Sequence, residues 1–213
     1  MDEIKVKNIF AAVSDKSILA PLLDSLKARP SGRKPFRLKP WKTERPGLDG
    51  FDVKFLGTQG TVDYLKSKGF DAKSVVFGFD FDGRVKSLDK KVFVAILANP
   101  SEANHLSELA KLGVEPLNAV IVDLYPLDKS NFPESMDIGG QALIRAAIKN
   151  YKNVALAFDG ESIRDLVEEL KFNKGETTLN FRKTQAKKAA DFIAERTELE
   201  SGLIVNVLDV KDK

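Results

Sequence analysis

Short apolar runs rich in β-branched residues alternate along this chain with stretches whose apolar residues recur every three or four positions. That alternation restricts the chain to α/β folds in which helices pack on the faces of a mostly parallel sheet. Strands are predicted at residues 8–13, 51–56, 92–98, 119–124 and 154–158. The run Ala119-Val120-Ile121-Val122-Asp123-Leu124 shows the near-continuous apolar character of a strand covered above and below. Helices are predicted between the strands. Ile18, Leu19, Leu22, Leu23 and Leu26 form one apolar stripe, Leu143, Ile144, Ala147 and Ile148 a second, and Ile163, Leu166, Val167 and Leu170 a third. A final helix is expected over 178–198, docked on the sheet or on a second subunit. No internal repeat is evident, and a single domain over 1–213 is expected.

Composition removes whole classes of function. With 43% hydrophobic and 31% charged residues the chain has both a core and a charged surface. No stretch reaches the ~18 uninterrupted apolar residues of a membrane span, and Met1-Asp2-Glu3 is not the start of a secretory signal, so a cytoplasmic protein without membrane association is expected. The absence of cysteine excludes disulfides, thiolate metal sites and thiol nucleophiles. The single histidine, His105, sits in what reads as an exposed helix start, so acid and base chemistry falls to lysine, tyrosine and carboxylate groups. A net charge of +3 does not mark the whole chain as a nucleic-acid binder. The charge is uneven, however. Between Ala28 and Pro46 seven basic residues face one acid, with four prolines and with Phe36 and Trp41 interleaved. This segment reads first as a solvated loop, second as positive field beside a phosphate-binding mouth, and third as a single-strand nucleic-acid groove.

Four loops at predicted strand ends carry polar or glycine-rich turns, where an open parallel sheet forms its ligand crevice. Ser14, Asp15 and Lys16 can cap a helix and hold an anion. Thr58, Gln59, Gly60 and Thr61 form a small-residue turn able to bring backbone amides and hydroxyls against a phosphate, although the ending of a nucleotide P-loop is missing. Arg84 and Lys86 alternate around Val85 and point to one side of an extended segment, followed by Ser87. Asp137, Ile138, Gly139 and Gly140 lead into a helix bearing Gln141, Arg145 and Lys149, with amides available for developing negative charge. Together the four point to a phosphorylated ligand.

The order Val-Ser-Asp-Lys, Thr-x-Gly-Thr, Asp-Gly-Arg-Val-Lys-Ser-Leu, Asp-Leu-Tyr-Pro, Met-Asp-Ile-Gly-Gly and Leu-Ile-Arg-Ala-Ala-Ile-Lys-Asn resembles the IMP cyclohydrolase domain of the bifunctional AICAR transformylase/IMP cyclohydrolase family. The resemblance runs from about Val13 to Asn150 and more faintly beyond. It implies a three-layer α/β/α fold like that of methylglyoxal synthase. It also implies the hydrolase-class enzyme of the last purine-synthesis step, closing FAICAR to IMP with loss of water and with no metal or organic cofactor. Matched positions imply Lys86, Tyr125, Asp137 and Lys149 as catalytic residues. Ser14, Asp15, Lys16, Thr58, Gln59, Gly60, Thr61, Arg84, Val85, Ser87, Asp123, Ile138 and Gly139 are implied as substrate-binding. Because Gly140 to Lys149 spans roughly 14 Å of helix, Lys149 must reach back or serve a neighbouring subunit, which favours the family's homodimer. A separate AICAR transformylase is implied as partner.

The chain departs from the family pattern at several points. Asp89-Lys90-Lys91 follows Leu88 in place of the usual His-Pro, Phe93 stands where a second histidine is common, and Ala12 and Gln59 replace a serine and a glycine. The basic segment 28–46 looks inserted. Asp123 replaces an asparagine, and an ionised Asp cannot donate as an amide does. These departures keep a rival in view, a non-catalytic nucleotide-binding module on the same fold. A third reading is a nucleic-acid-binding protein working through the basic segment.

Overall fold

A computed structural model of the chain describes residues 2–27, 52–75 and 87–210, with side chains to 207. In order these form β1 (Glu3–Lys5), β2 (Asn8–Ala12), a 3-10 turn (Lys16–Leu19), α1 (Ala20–Leu26), β3 (Lys54–Gly57), α2 (Gln59–Ser67) and β4 (Ala72–Ser74). Then come α3 (Lys90–Leu97), α4 (Ala103–Leu112), β5 (Ala119–Val122), a second 3-10 turn (Lys129–Asn131), α5 (Ile138–Lys149), β6 (Ala155–Ala157), α6 (Gly160–Phe172), β7 (Glu176–Thr178) and α7 (Leu179–Val210). The basic segment 28–46, and Arg84, Val85 and Lys86, lie outside the described residues.

Five strands form one parallel sheet in the order β4-β3-β2-β5-β6. The alternation of side chains along each strand assigns them to two faces. Ile9 and Ala11 of β2 and Ala119 and Ile121 of β5 pack with Leu22 of α1, Leu65 of α2 and Leu166 of α6. Phe10, Val120 and Val122 pack on the opposite face with Ile96 of α3, Leu109 of α4, Ile144 of α5 and Ile193 of α7. Both faces are therefore covered, which is why these strands lack a polar side. The three layers agree with the methylglyoxal synthase-like fold that the resemblance implies. Antiparallel β1 and β7 add a small ribbon. Buried Arg182 at the start of α7 ties it down by donating to the carbonyls of Thr177, Tyr151 and Asp2.

One predicted strand is a helix. Residues 92–98 fall almost wholly within α3, where Asp89 caps the start by accepting from the amides of Lys91 (2.7 Å) and Val92 (3.3 Å). Val92, Ala95 and Ile96 are buried, a three-and-four spacing that a short apolar run does not reveal by itself. Asn150 closes the other end, its amide donating to the carbonyls of Ile96 (2.7 Å) and Ala98 (2.8 Å). The helix foreseen to end near 198 continues to Val210, and the three-residue strands β1, β4 and β7 were not foreseen.

From β2 the sheet grows through β3 to β4, and the chain then crosses to the other side of β2 to add β5 and β6. The order in which strands are added thus reverses between β2 and β5, which run parallel. The loops leaving their carboxyl ends must part there, opening a crevice.

Candidate functional site

The crevice is a cleft of about 930 Å³. Its floor is set by Asp123, the first residue beyond β5, whose carboxylate reaches across the point of reversal. Oδ1 accepts from the Ser14 amide at 2.5 Å, and Oδ2 accepts from the Ser14 hydroxyl at 2.7 Å and from the Asp15 amide at 3.0 Å. Three donors converge on it, so this position calls for an acceptor. An asparagine would turn its NH₂ toward one of those donors. Two amides that sequence reasoning offered to phosphate are accordingly occupied by Asp123.

The cation of this loop stays available. Lys16 Nζ donates to the carbonyls of Val13 (2.7 Å) and Ser14 (3.1 Å), which leaves one of its three N–H groups. These bonds hold the ammonium beside the start of α2, where a methyl placed on Gly60 would lie 4.0 Å from Nζ. In the first turn of α2 the carbonyl of Thr58 accepts from the amides of Thr61 and Val62, whereas Gln59 and Gly60 precede any intrahelical acceptor. Lys16, Thr58, Gln59 and Gly60 therefore make one positive rim. Thr61 does not line the cleft. It is fully buried, and its hydroxyl bonds the backbone of Val13, pegging α2 to the end of β2. Asp15 is exposed and also outside the lining. Its carboxylate accepts from the hydroxyl and amide of Ser17, which hold it below the usual carboxyl range.

The opposite wall is the N-terminus of α5. Asp137 caps it, Oδ1 accepting from the Gly140 amide at 2.7 Å, while Oδ2 accepts from the Tyr125 amide at 3.3 Å. Both glycines here answer to close approach. A methyl on Gly139 would collide with the Ser87 hydroxyl, and one on Gly140 would sit 2.6 Å from the Asp137 carboxylate and 2.8 Å from Leu124 Cδ2. Burial pushes the Asp137 carboxyl above its ordinary range. The amides of Gly140 and Tyr125 and the Arg196 charge oppose that rise, and the Asp123 charge adds to it. The Tyr125 phenol is raised by burial and then by the negative charges of Asp137 and Asp123, so it keeps its proton at neutral pH and can donate.

Ser14, Lys16, Thr58, Gln59, Gly60, Ser87, Asp123, Tyr125, Asp137, Ile138 and Gly139 all line this one cleft. Lys149 does not: it is exposed at the far end of α5. Sequence reasoning missed the outer rim formed by Asn131, Pro133, Glu134, Ser135 and Met136. The sequence signal for it was Asp128, whose carboxylate accepts from the amide (2.9 Å) and hydroxyl (2.6 Å) of Ser130 and so sets the turn that carries the rim. Among the described residues no cluster of three or more His, Asp or Glu is placed to hold a metal ion. Nor is any described helix long and apolar enough to cross a membrane.

Fold and site together define a doubly wound α/β protein with a polar cleft at the point where its strand order reverses, positive on one rim and carboxylate-bearing on the other. Comparison with known proteins places this class more narrowly. The chain is 36% identical over 154 residues to the bifunctional purine biosynthesis protein PurH of Bradyrhizobium diazoefficiens, covering 67% of this chain and 29% of that protein. It is 32% identical over 219 residues to PurH of Dinoroseobacter shibae, covering 97% and 37%. With PurH of Persephonella marina the identity is 32% over 176 residues, covering 77% and 33%. The chain belongs to the PurH-related proteins, and it spans about a third of the length of the relatives it matches. The crystal structure of ForH shares the fold, with a TM-score of 0.67 and 24% identity over 94% of this chain and 99% of that one. No family model matches the chain.

Proposed function

We propose that the cleft closes a purine ring, converting FAICAR to IMP and water. The observation that carries this reading is the convergence of separated segments on one cleft: the loop after β2, the start of α2, Ser87, the loop after β5 and the start of α5. The kinship with PurH over most of the chain supports it.

In this reaction the carboxamide nitrogen attacks the formyl carbon of the same molecule and a C–N bond forms. The carboxamide nitrogen gives up one proton and the formamido nitrogen a second as the ring C=N double bond forms, and the formyl oxygen takes both, its bond to carbon breaking as it leaves as water. Nucleophile and electrophile are already tethered, so holding a folded conformer supplies much of the acceleration. On this reading Lys16 with the Gln59 and Gly60 amides holds the phosphate, and the Ile138 and Gly139 amides face the formyl oxygen. Tyr125, which keeps its proton, donates to the reacting groups, and Asp137 orients the carboxamide. Lys86 supports the oxyanion or proton delivery, an assignment resting on sequence alone. Lys149 acts in the cleft of a second copy in a homodimer, since its own cleft lies at the other end of α5. A separate AICAR transformylase makes the formyl substrate, and no cofactor takes part.

A second reading, a nucleotide-binding module without turnover, draws on Asp123, whose carboxylate occupies the Ser14 and Asp15 amides. An ultraviolet assay of purified protein with FAICAR, without metal or folate, separates the two. IMP formation that Lys86→Ala or Lys149→Ala abolishes supports the cyclohydrolase. Nucleotide binding without product supports the module.

A further inference from the structure

We infer that Arg196, Glu200 and Gln141 are positioning residues for the Tyr125 peptide, so that α7 sets the geometry of the cleft's carboxylate wall. The contacts close a ring. Arg196 Nη2 donates to the Tyr125 carbonyl at 2.8 Å, and Arg196 Nε donates to Glu200 Oε1 at 2.9 Å. Gln141 Nε2 donates to both Glu200 oxygens, at 2.8 and 3.0 Å. Gln141 lies one helical turn beyond Asp137, and Asp137 accepts from the Tyr125 amide, which returns the ring to its start.

Two observations give the ring a purpose beyond holding a helix down. Tyr125 is 56% exposed, so the placement of its side chain depends strongly on its backbone. That backbone is gripped on both sides, its N–H by a carboxylate and its C=O by a guanidinium. The Arg196 and Glu200 side chains are only 11% and 7% exposed. An ion pair this buried returns little net stability for its desolvation. Among the described residues the charged groups facing Asp137 are Arg196 from α7 and Asp123 from the end of β5, so Arg196 is the counter-charge among them.

The activity readout rests on the proposed ring closure, and a spectroscopic readout stands apart from it. Protein labelled with 3-fluorotyrosine, the Tyr125 resonance assigned through Tyr125→Phe, is compared by ¹⁹F NMR across pH with Arg196→Met, Gln141→Leu and the double variant Arg196→Met/Glu200→Met. The double variant removes both buried charges and is expected to melt close to the parent. Expected is a displaced Tyr125 resonance in every variant. In Arg196→Met and the double variant, its pH midpoint rises through the carboxyl range, because Asp137 has lost its cation. With FAICAR, kcat falls about 100-fold, as a misplacement of about 1 Å produces, KM changes far less, and Arg196→Lys recovers part of the loss. A folded double variant with the parent's Tyr125 resonance and pH midpoint overturns the inference. If the parent makes no IMP, the ring-closure proposal fails, and the NMR comparison alone decides the role of the ring.

Discussion

Asp123→Asn tests whether the carboxylate that bridges the ends of β2 and β5 holds the cleft floor. Each bond to a charged acceptor contributes about 1.5–3 kcal/mol, and Asp123 receives three. Asparagine keeps Oδ1 for the Ser14 amide, and the Ser14 hydroxyl can rotate to accept from the new NH₂. The Asp15 amide loses its partner, but it is exposed and water replaces much of that bond. What remains is mainly lost charge assistance, about 1–2 kcal/mol in total. For a chain of 213 residues that lowers the melting temperature by about 2–8 °C. The same substitution removes a negative charge from the cleft, so affinity for IMP rises and the Tyr125 phenol, which Asp123 helps to raise, moves down. Calorimetric melting, IMP titration and ultraviolet titration of tyrosinate read the three effects. An unchanged or higher melting temperature, with an unmoved Tyr125 titration, refutes the tether.

Gly140→Ala places a methyl 2.6 Å from the Asp137 carboxylate. It is expected to cost about 1–3 kcal/mol in overpacking and to lower both melting temperature and turnover; a fully active, equally stable variant contradicts the packing described. Asp89→Ala removes the cap of α3, with an expected loss of about 1 kcal/mol, or about 2–4 °C. No change in melting would argue against the helical assignment of 92–98. Asp137 carries a pH signature. Its folded carboxyl titrates above the unfolded value, so its contribution to stability is fully present below the unfolded value and is lost as pH rises through the folded one. Asp137→Asn should therefore gain on the parent in urea unfolding as pH climbs from below the carboxyl range to neutrality. A difference flat with pH refutes the shift.

What was legible in the sequence was local. The runs at 8–13, 119–124 and 154–158 announce buried strands because both faces are apolar, and the cap at Asp15 and the helix entrance at Asp137 are written within three residues of the amides they hold. The strand expected at 92–98 failed because eight helical residues with an apolar mean and a β-branched composition look like a buried strand, and only the packing partners decide. The three-residue strands β1, β4 and β7 are too short to carry any periodicity. The site was legible where it is made of caps and glycines and illegible where it is made of distance. Arg196 and Tyr125 are separated by 71 positions, Gln141 and Glu200 by 59. No pattern marks those pairs until α7 returns along α5.

The cleft explains how a chain with one exposed histidine can offer paired proton donors and acceptors. Tyr125 and Asp137 lie together, and their environments push both toward the protonated form: burial raises each, and each carries a further negative charge as neighbour. Left alone, burial and Asp123 would drive the Asp137 proton affinity still higher. The two backbone amides and the Arg196 charge pull it back, and two of these groups, the Tyr125 amide and Arg196, also hold the Tyr125 peptide. Placement and protonation thus share the Tyr125 amide and Arg196. For the proposed ring closure this coupling matters more than raw basicity. The reacting atoms are tethered to each other, and the protein's task is to keep a donor and a carboxylate in register while one molecule of water forms and departs.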